Sequence, residues 1–353
     1  MTRFAWLQFR TQAAVVFAGL AVVAIVLAIT GPHLVHLYDA TVADCAKYGD
    51  CSTASATFLQ HDRFLQLLLD VVVVVVPGII GIFWGAPLVA RELETGTFRL
   101  AWTQSVTRSR WLVVKLAVVG FASMAAAGLL SLAVTWWSSP VDRANMTLFT
   151  SFDQRGIVPI GYAAFGFAFG VLAGVLIRRT LPAMAVTLVG FVTTRLVFNH
   201  FVLPKLIAPV NRSFALNPGT SVQGFGSSNG GAFTLIPGNP SPPNAWFYSA
   251  QFVNQSGQPL TSHALATDCP LLVAGVPTGA GPGGHSTPGP ASAGVRDALQ
   301  SCITKLGATY HEAVAYQPAS RYWPFQWYEM AIHLGVALVL AGACLWWVRR
   351  RLT

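Results

Sequence analysis

The chain has 353 residues, of which 22 are Lys or Arg, 13 are Asp or Glu and 54% are apolar. Only 10% are charged, against about a quarter in a soluble domain, which excludes a disordered chain, a collagen-like repeat and an ordinary cytosolic enzyme and points to a polytopic membrane protein. The net charge of +9 is not a nucleic-acid signal, because the chain has no long basic block and no arginine-rich arm.

A bilayer core about 30 Å thick takes about 20 helical residues. Met1–Arg10 sets Phe4, Trp6, Leu7 and Phe9 among Arg3 and Arg10, which predicts a short helix lying in the membrane interface. The first span is predicted at Thr11–Thr30, an apolar run too long for a cleaved signal. The second is predicted at Leu67–Ala90 and contains the valine run Val71–Val76. The third covers Leu112–Trp136, the fourth Ile157–Ile177 and the sixth Phe325–Val348. The fifth, Leu181–Leu203, is interrupted only by Arg195. The expected fold class is an all-α polytopic membrane protein, with six transmembrane helices and a large exoplasmic loop between spans five and six. Residues 1–204 then hold spans one to five, residues 205–324 the exoplasmic cap, and residues 325–353 the last span and a tail.

Basic residues gather on the cytoplasmic side of membrane proteins. With the N-terminus inside, the short inside segments carry Arg3, Arg10, Arg91, Arg99, Arg108, Arg110, Lys115, Arg178, Arg179 and Arg349–Arg351. The remaining basic residues, apart from Arg195, are spread thinly over the outside loops. Both termini are therefore expected in the cytoplasm. Cys45, Cys51, Cys269 and Cys302 then face the compartment where disulfides persist. Three connectivities are open, and locality favours Cys45–Cys51 and Cys269–Cys302. No histidine outside has zinc-ligand spacing with a cysteine pair, so no metal is expected.

Within Lys205–Pro324, Gly and Pro make up 29 of 120 residues. Residues 275–294 cannot bury enough side chain to offset ordering entropy. Val295, Leu299, Ile303 and Leu306 recur at helical spacing, placing Cys302 on a short amphipathic helix that can tie to Cys269. Trp246–Phe252 reads as a small strand.

The segment Arg91–Lys115 is the most charged of the inside segments. Arg91–Thr95 continue the second helix, Gly96 suits a left-handed helix end, and Phe98–Gln104 suit a short helix. Ser105 or Thr107 can cap the next helix. Glu92 and Glu94 are two apart and do not share a helix face, so they make a poor acid/base pair. The chain has no P-loop, no G-x-S-x-G and no H-E-x-x-H, so an ATPase site of its own is not expected.

Arg91-Glu92-x-Glu94-x-Gly96-Thr97, followed by Trp102-Thr103-Gln104-Ser105-Val106-Thr107-Arg108 and then Trp111 and Lys115, resembles membrane subunits of type-2 ABC exporters. Tyr316–Gln326 resembles the entry to the last span in actinobacterial members. The resemblance implies a permease that exports a small molecule, drug, peptide or lipid. Arg91, Glu92, Glu94, Gly96, Thr97 and Arg108 would couple it to a separate P-loop ATPase, which would hold ATP and Mg. A second permease subunit, identical or different, would complete the pump in the cell membrane.

Two other classes compete. A membrane enzyme would draw on His263, Asp268, His311 and Glu312. A sensor or assembly protein would use the exoplasmic cap. Within the membrane, Arg195 is a costly charge. It is expected to pair with Glu329 or Asp70, or else to snorkel outward. Glu329 and His333 share a helix face.

Overall fold

The computed structural model describes residues 2–45, 52–96, 107–145, 149, 151–216, 222–228, 232–237, 244–270 and 293–351. They form two compact units, Met1–Ile207 with Arg321–Thr353, and Ala208–Ser320.

The first unit holds six helices long and apolar enough to cross a membrane. An apolar bilayer cannot hydrogen-bond a bare backbone, so an uncharged stretch of this length is stable there only as a helix. Span one runs over Thr2–Tyr38 and ends in a π-helical turn, Asp39–Ala43. The separate interfacial helix expected over Met1–Arg10 is instead continuous with it, because nothing between Arg10 and Thr11 breaks the helix. A short helix, Ser52–His61, leads to span two. Span two is Arg63–Ile80, a π-helical turn Gly81–Gly85, and Ala86–Thr95. Span three is Arg108–Asn145, span four Val158–Ile177 and span six Tyr322–Arg351. Span five is Thr180–Val197, extended by a π-helical turn, Phe198–Val202.

Span four is the central helix. Its apolar window is 72% buried, against 11% for span one. Gly166, Gly170 and Gly174 recur every fourth residue and put backbone against the backbone of span two. A Cβ on Gly166 would meet the Pro77 carbonyl oxygen at 2.8 Å, and one on Gly81 would meet that of Gly166 at 2.6 Å. Such small-xxx-small faces are how helices pack closely in lipid, where water supplies no hydrophobic drive between them.

Two apolar clusters bind the remaining spans. Phe9, Trp84, Val89, Trp111, Val175 and Val348 join the ends of spans one, two, three, four and six that lie near Gly96. Leu27, Leu34, Phe58, Leu69, Val134 and Trp137 join spans one, two and three toward the opposite end. There the Trp137 indole donates to Thr30 Oγ1 at 2.9 Å. Faces turned away from the bundle are apolar and exposed, as at Ile25, Ile29, Leu338 and Val339, which suits them to lipid.

The second unit carries more strand than the single one read from the sequence. β1 (Val210–Ala215), β5 (Tyr310–Gln317) and β4 (Trp246–Asn254) form an antiparallel sheet in the order β1-β5-β4. β2 (Val222–Ser228) and β3 (Ala232–Pro237) form a hairpin. The helix expected after the Gly/Pro-rich stretch runs over Ala293–Leu306. Cys302 on it is bonded to Cys269, with Cα atoms 5.3 Å apart. Leu235, Phe252, Leu265 and Leu306 pack around that bridge.

Candidate functional site

At the end of the bundle that includes Gly96, span two stops where the sequence says it should. Gly96 is left-handed, with φ 72°, a conformation that costs most other residues about 1–2 kcal/mol. Span three begins at Arg108, capped by the Thr107 hydroxyl, which accepts from Arg110 N–H at 3.4 Å. Thr97, the short helix expected over Phe98–Gln104, and Ser105 lie outside the described residues.

The two glutamates of this segment turn to different neighbours, as a two-residue offset on a helix requires. Glu92 forms an ion pair with Lys115 of span three. Lys115 is almost fully buried, and its ammonium also lies 4.6 Å from the Trp111 ring centre. Glu94 reaches the start of span five, where its Oε2 accepts from the Thr180 N–H at 3.0 Å and the Thr180 hydroxyl at 2.7 Å. A carboxylate on the first N–H of a helix satisfies an orphan donor and complements the helix dipole. The turn that delivers Thr180 is only Arg178 and Arg179, with Arg178 left-handed at φ 59°. Arg349 of span six donates to Ser109 Oγ of span three at 3.2 Å. Arg91 is exposed.

A buried polar cluster occupies the other end. Arg195 is paired with Asp153, not with Glu329 or Asp70. Asp153 lies on the short turn Phe152–Gln154 that precedes span four. That turn folds into the bundle and brings a carboxylate to the arginine. The Arg195 guanidinium also lies 4.6 Å from the Tyr162 ring centre and donates to the Val74 carbonyl at 3.4 Å. Asn199 Nδ2 donates to Asp153 at 3.2 Å. The Tyr162 hydroxyl lies 3.2 Å from Asn199 Oδ1 and 2.6 Å from Glu329 Oε1. The His333 ring lies 4.3 Å from the Tyr162 ring, tilted by 46°, and its Nδ1 lies 2.9 Å from the Glu329 carbonyl oxygen. Asp70 instead faces the electrostatic field of Arg155, Asp153 and Asp142, and Arg155 is itself ion-paired with Asp142. Gln326 of span six closes this end. Its Oε1 accepts from the N–H groups of Ile157 (3.0 Å) and Val158 (3.2 Å), and its Nε2 donates to the Phe152 carbonyl at 2.8 Å.

The residues that sequence reasoning passed over are Thr180, Asp153, Tyr162, Asn199 and Gln326. The two histidines, aspartate and glutamate named for an enzyme do not make a constellation. His311 and Glu312 are adjacent on β5 and so point to opposite faces of the sheet. Asp268 is engaged by Lys305 at 3.4 Å. For Cys45, the expected partner Cys51 lies outside the described residues.

Six apolar spans, with a glycine-lined one at their centre, define a multi-pass membrane protein. Residues 17–203, more than half of the chain, match the ABC-2 membrane transporter related family. The chain belongs to that family, whose members are membrane transport components. No curated protein and no solved structure gives a match.

Proposed function

We propose that the chain is the permease subunit of an ATP-driven exporter in the cell membrane, both termini cytoplasmic, working with a separate P-loop ATPase and a second permease subunit. The cargo class is a small molecule, drug, peptide or lipid. The ATPase docks on the segment between Thr95 and Arg108, and ATP and Mg stay on that partner. One observation carries the reading. The helix end that leads into the segment is fastened to two other spans, through Glu92 to Lys115 of span three and through Glu94 to Thr180 of span five. A push on residues 97–107 therefore reaches spans two, three and five together, which a merely solvated basic loop would not do.

The test is co-purification of the full chain with candidate P-loop ATPases, followed by ATP hydrolysis with and without added compounds. Glu94→Ala should insert normally and still bring down the ATPase, while compound-stimulated hydrolysis falls to the basal rate. Full stimulation in that variant would remove the docking segment from the mechanism. Recovery of the chain without any P-loop partner would overturn the permease reading itself.

A further inference from the structure

The protons of the buried cluster can be followed from one atom to the next. Asp153 is ion-paired with Arg195, so its oxygens accept. Asn199 therefore presents its amide nitrogen to Asp153, at 3.2 Å, and its carbonyl oxygen to the Tyr162 hydroxyl, also at 3.2 Å. A phenol carries a single proton. That proton goes to the shorter of the oxygen's two contacts. Glu329 Oε1 lies 2.6 Å from the same oxygen, and two oxygens that close need a proton between them. Tyr162 supplies it, and Glu329 Oε1 accepts.

Two observations bear on the acid's own proton. Glu329 has no solvent exposure, and among the described residues its Oε2 has no hydrogen-bond partner, nor has Nε2 of the buried His333. A bare buried oxygen is tolerable as the carbonyl of a neutral acid and far less so as half of a carboxylate. Arg195, which would otherwise neutralise it, is already held by Asp153. The titratable and charged groups facing Glu329 are Tyr162 from span four, Arg195 from span five, Asp153 from the turn and His333 on its own span. Phe165 and Phe198 pack on His333 and complete the apolar wall.

We propose that Glu329 is a proton-binding site inside the span bundle, its carboxyl neutral while Oε1 accepts from the Tyr162 hydroxyl. The ligand is a proton, not a metal ion or a cargo group. Its release breaks only the Glu329 O–H bond, with the proton passing to water and the electron pair staying on the carboxylate. That leaves two carboxylates, on two different elements, competing for one guanidinium. The bound proton thus keeps Arg195 with Asp153 and keeps the Phe152–Gln154 turn fastened to span five. None of this depends on which ATPase the chain meets.

The experiment is infrared spectroscopy of the full chain in lipid nanodiscs at neutral pH, in H2O and in D2O. The wild type should show a carboxylic-acid C=O stretch that shifts down in D2O. Glu329→Gln, whose amide oxygen can still accept from Tyr162, should lose that band completely, while Asp70→Asn should retain it. Tyr162→Phe removes the donor and should move the band to the higher frequency of an unbonded acid. Absence of the band in the wild type overturns the proposal, as does its survival in Glu329→Gln. Should Glu329→Gln fail to fold, Tyr162→Phe decides alone, and a band left unmoved there overturns the proposal.

Discussion

The two ends of the span bundle are fastened in different ways. Near Gly96, each tie is a single side chain reaching one neighbouring span, and the Glu94–Thr180 tie is exposed. Near Gln326, the ties are several and buried, and each group serves more than one partner. Water can replace an exposed hydrogen bond at little net cost, whereas a buried group left alone bears its full desolvation penalty. One end can therefore let go link by link, while the other holds or fails as a whole. An element meant to receive movement belongs at the first kind of end.

The largest effect is expected from Gln326→Leu. It strands the N–H groups of Ile157 and Val158 and the Phe152 carbonyl together. At about 1–3 kcal/mol per orphaned group, the loss should reach about 3 kcal/mol or more. Thermal unfolding in detergent measures it, and Glu94→Ala should fall far less in the same assay. Equal falls would erase the contrast between the ends.

The buried member of the loose end gives a sharper reading. A double-mutant cycle with Lys115→Ala and Glu92→Ala should return a coupling of about 2 kcal/mol, because removing one partner leaves a poorly solvated charge. A coupling near zero would mean that water screens this pair too, and that the whole end is soft. The smallest effect should come from the turn before span five. Arg178→Gly removes a side chain from a left-handed position, and should raise stability by at most about 1 kcal/mol. A loss in the same unfolding assay would show that the arginine side chain holds the turn.

The six spans were legible because length without charge is a one-dimensional signal. Gly96 and Thr107 were legible because helix ends use local chemistry. Arg195 could be recognised as an oddity, but its partner could not be. Asp153 lies on a turn that sequence assigns to a loop, and only tertiary folding carries it into the bundle. Glu92 and Glu94 stood out for their charge, yet Lys115 and Thr180 are 23 and 86 positions away along the chain. β5 alternates as far as Tyr316, with Glu312, Val314 and Tyr316 buried and Ala313 and Ala315 less so, before the buried Gln317 ends the pattern. β1 does not, so its place beside β5 had no signal of its own.

The glycine crossing between spans two and four restricts how the bundle can change shape. Gly166, Gly170 and Gly174 mesh with Pro77, Gly81 and Ala86 like teeth on two racks. Turning span four by one residue would drive the side chain of Phe165 or Phe167 into the backbone of span two, and turning span two would bring Ile80 or Ile82 against span four, so neither can spin about its own axis. The pair can tilt or travel only as one piece. The π-helical turn at Gly81–Gly85 lies within that meshed stretch, so displacement of the Arg91–Thr95 end carries span four bodily with it.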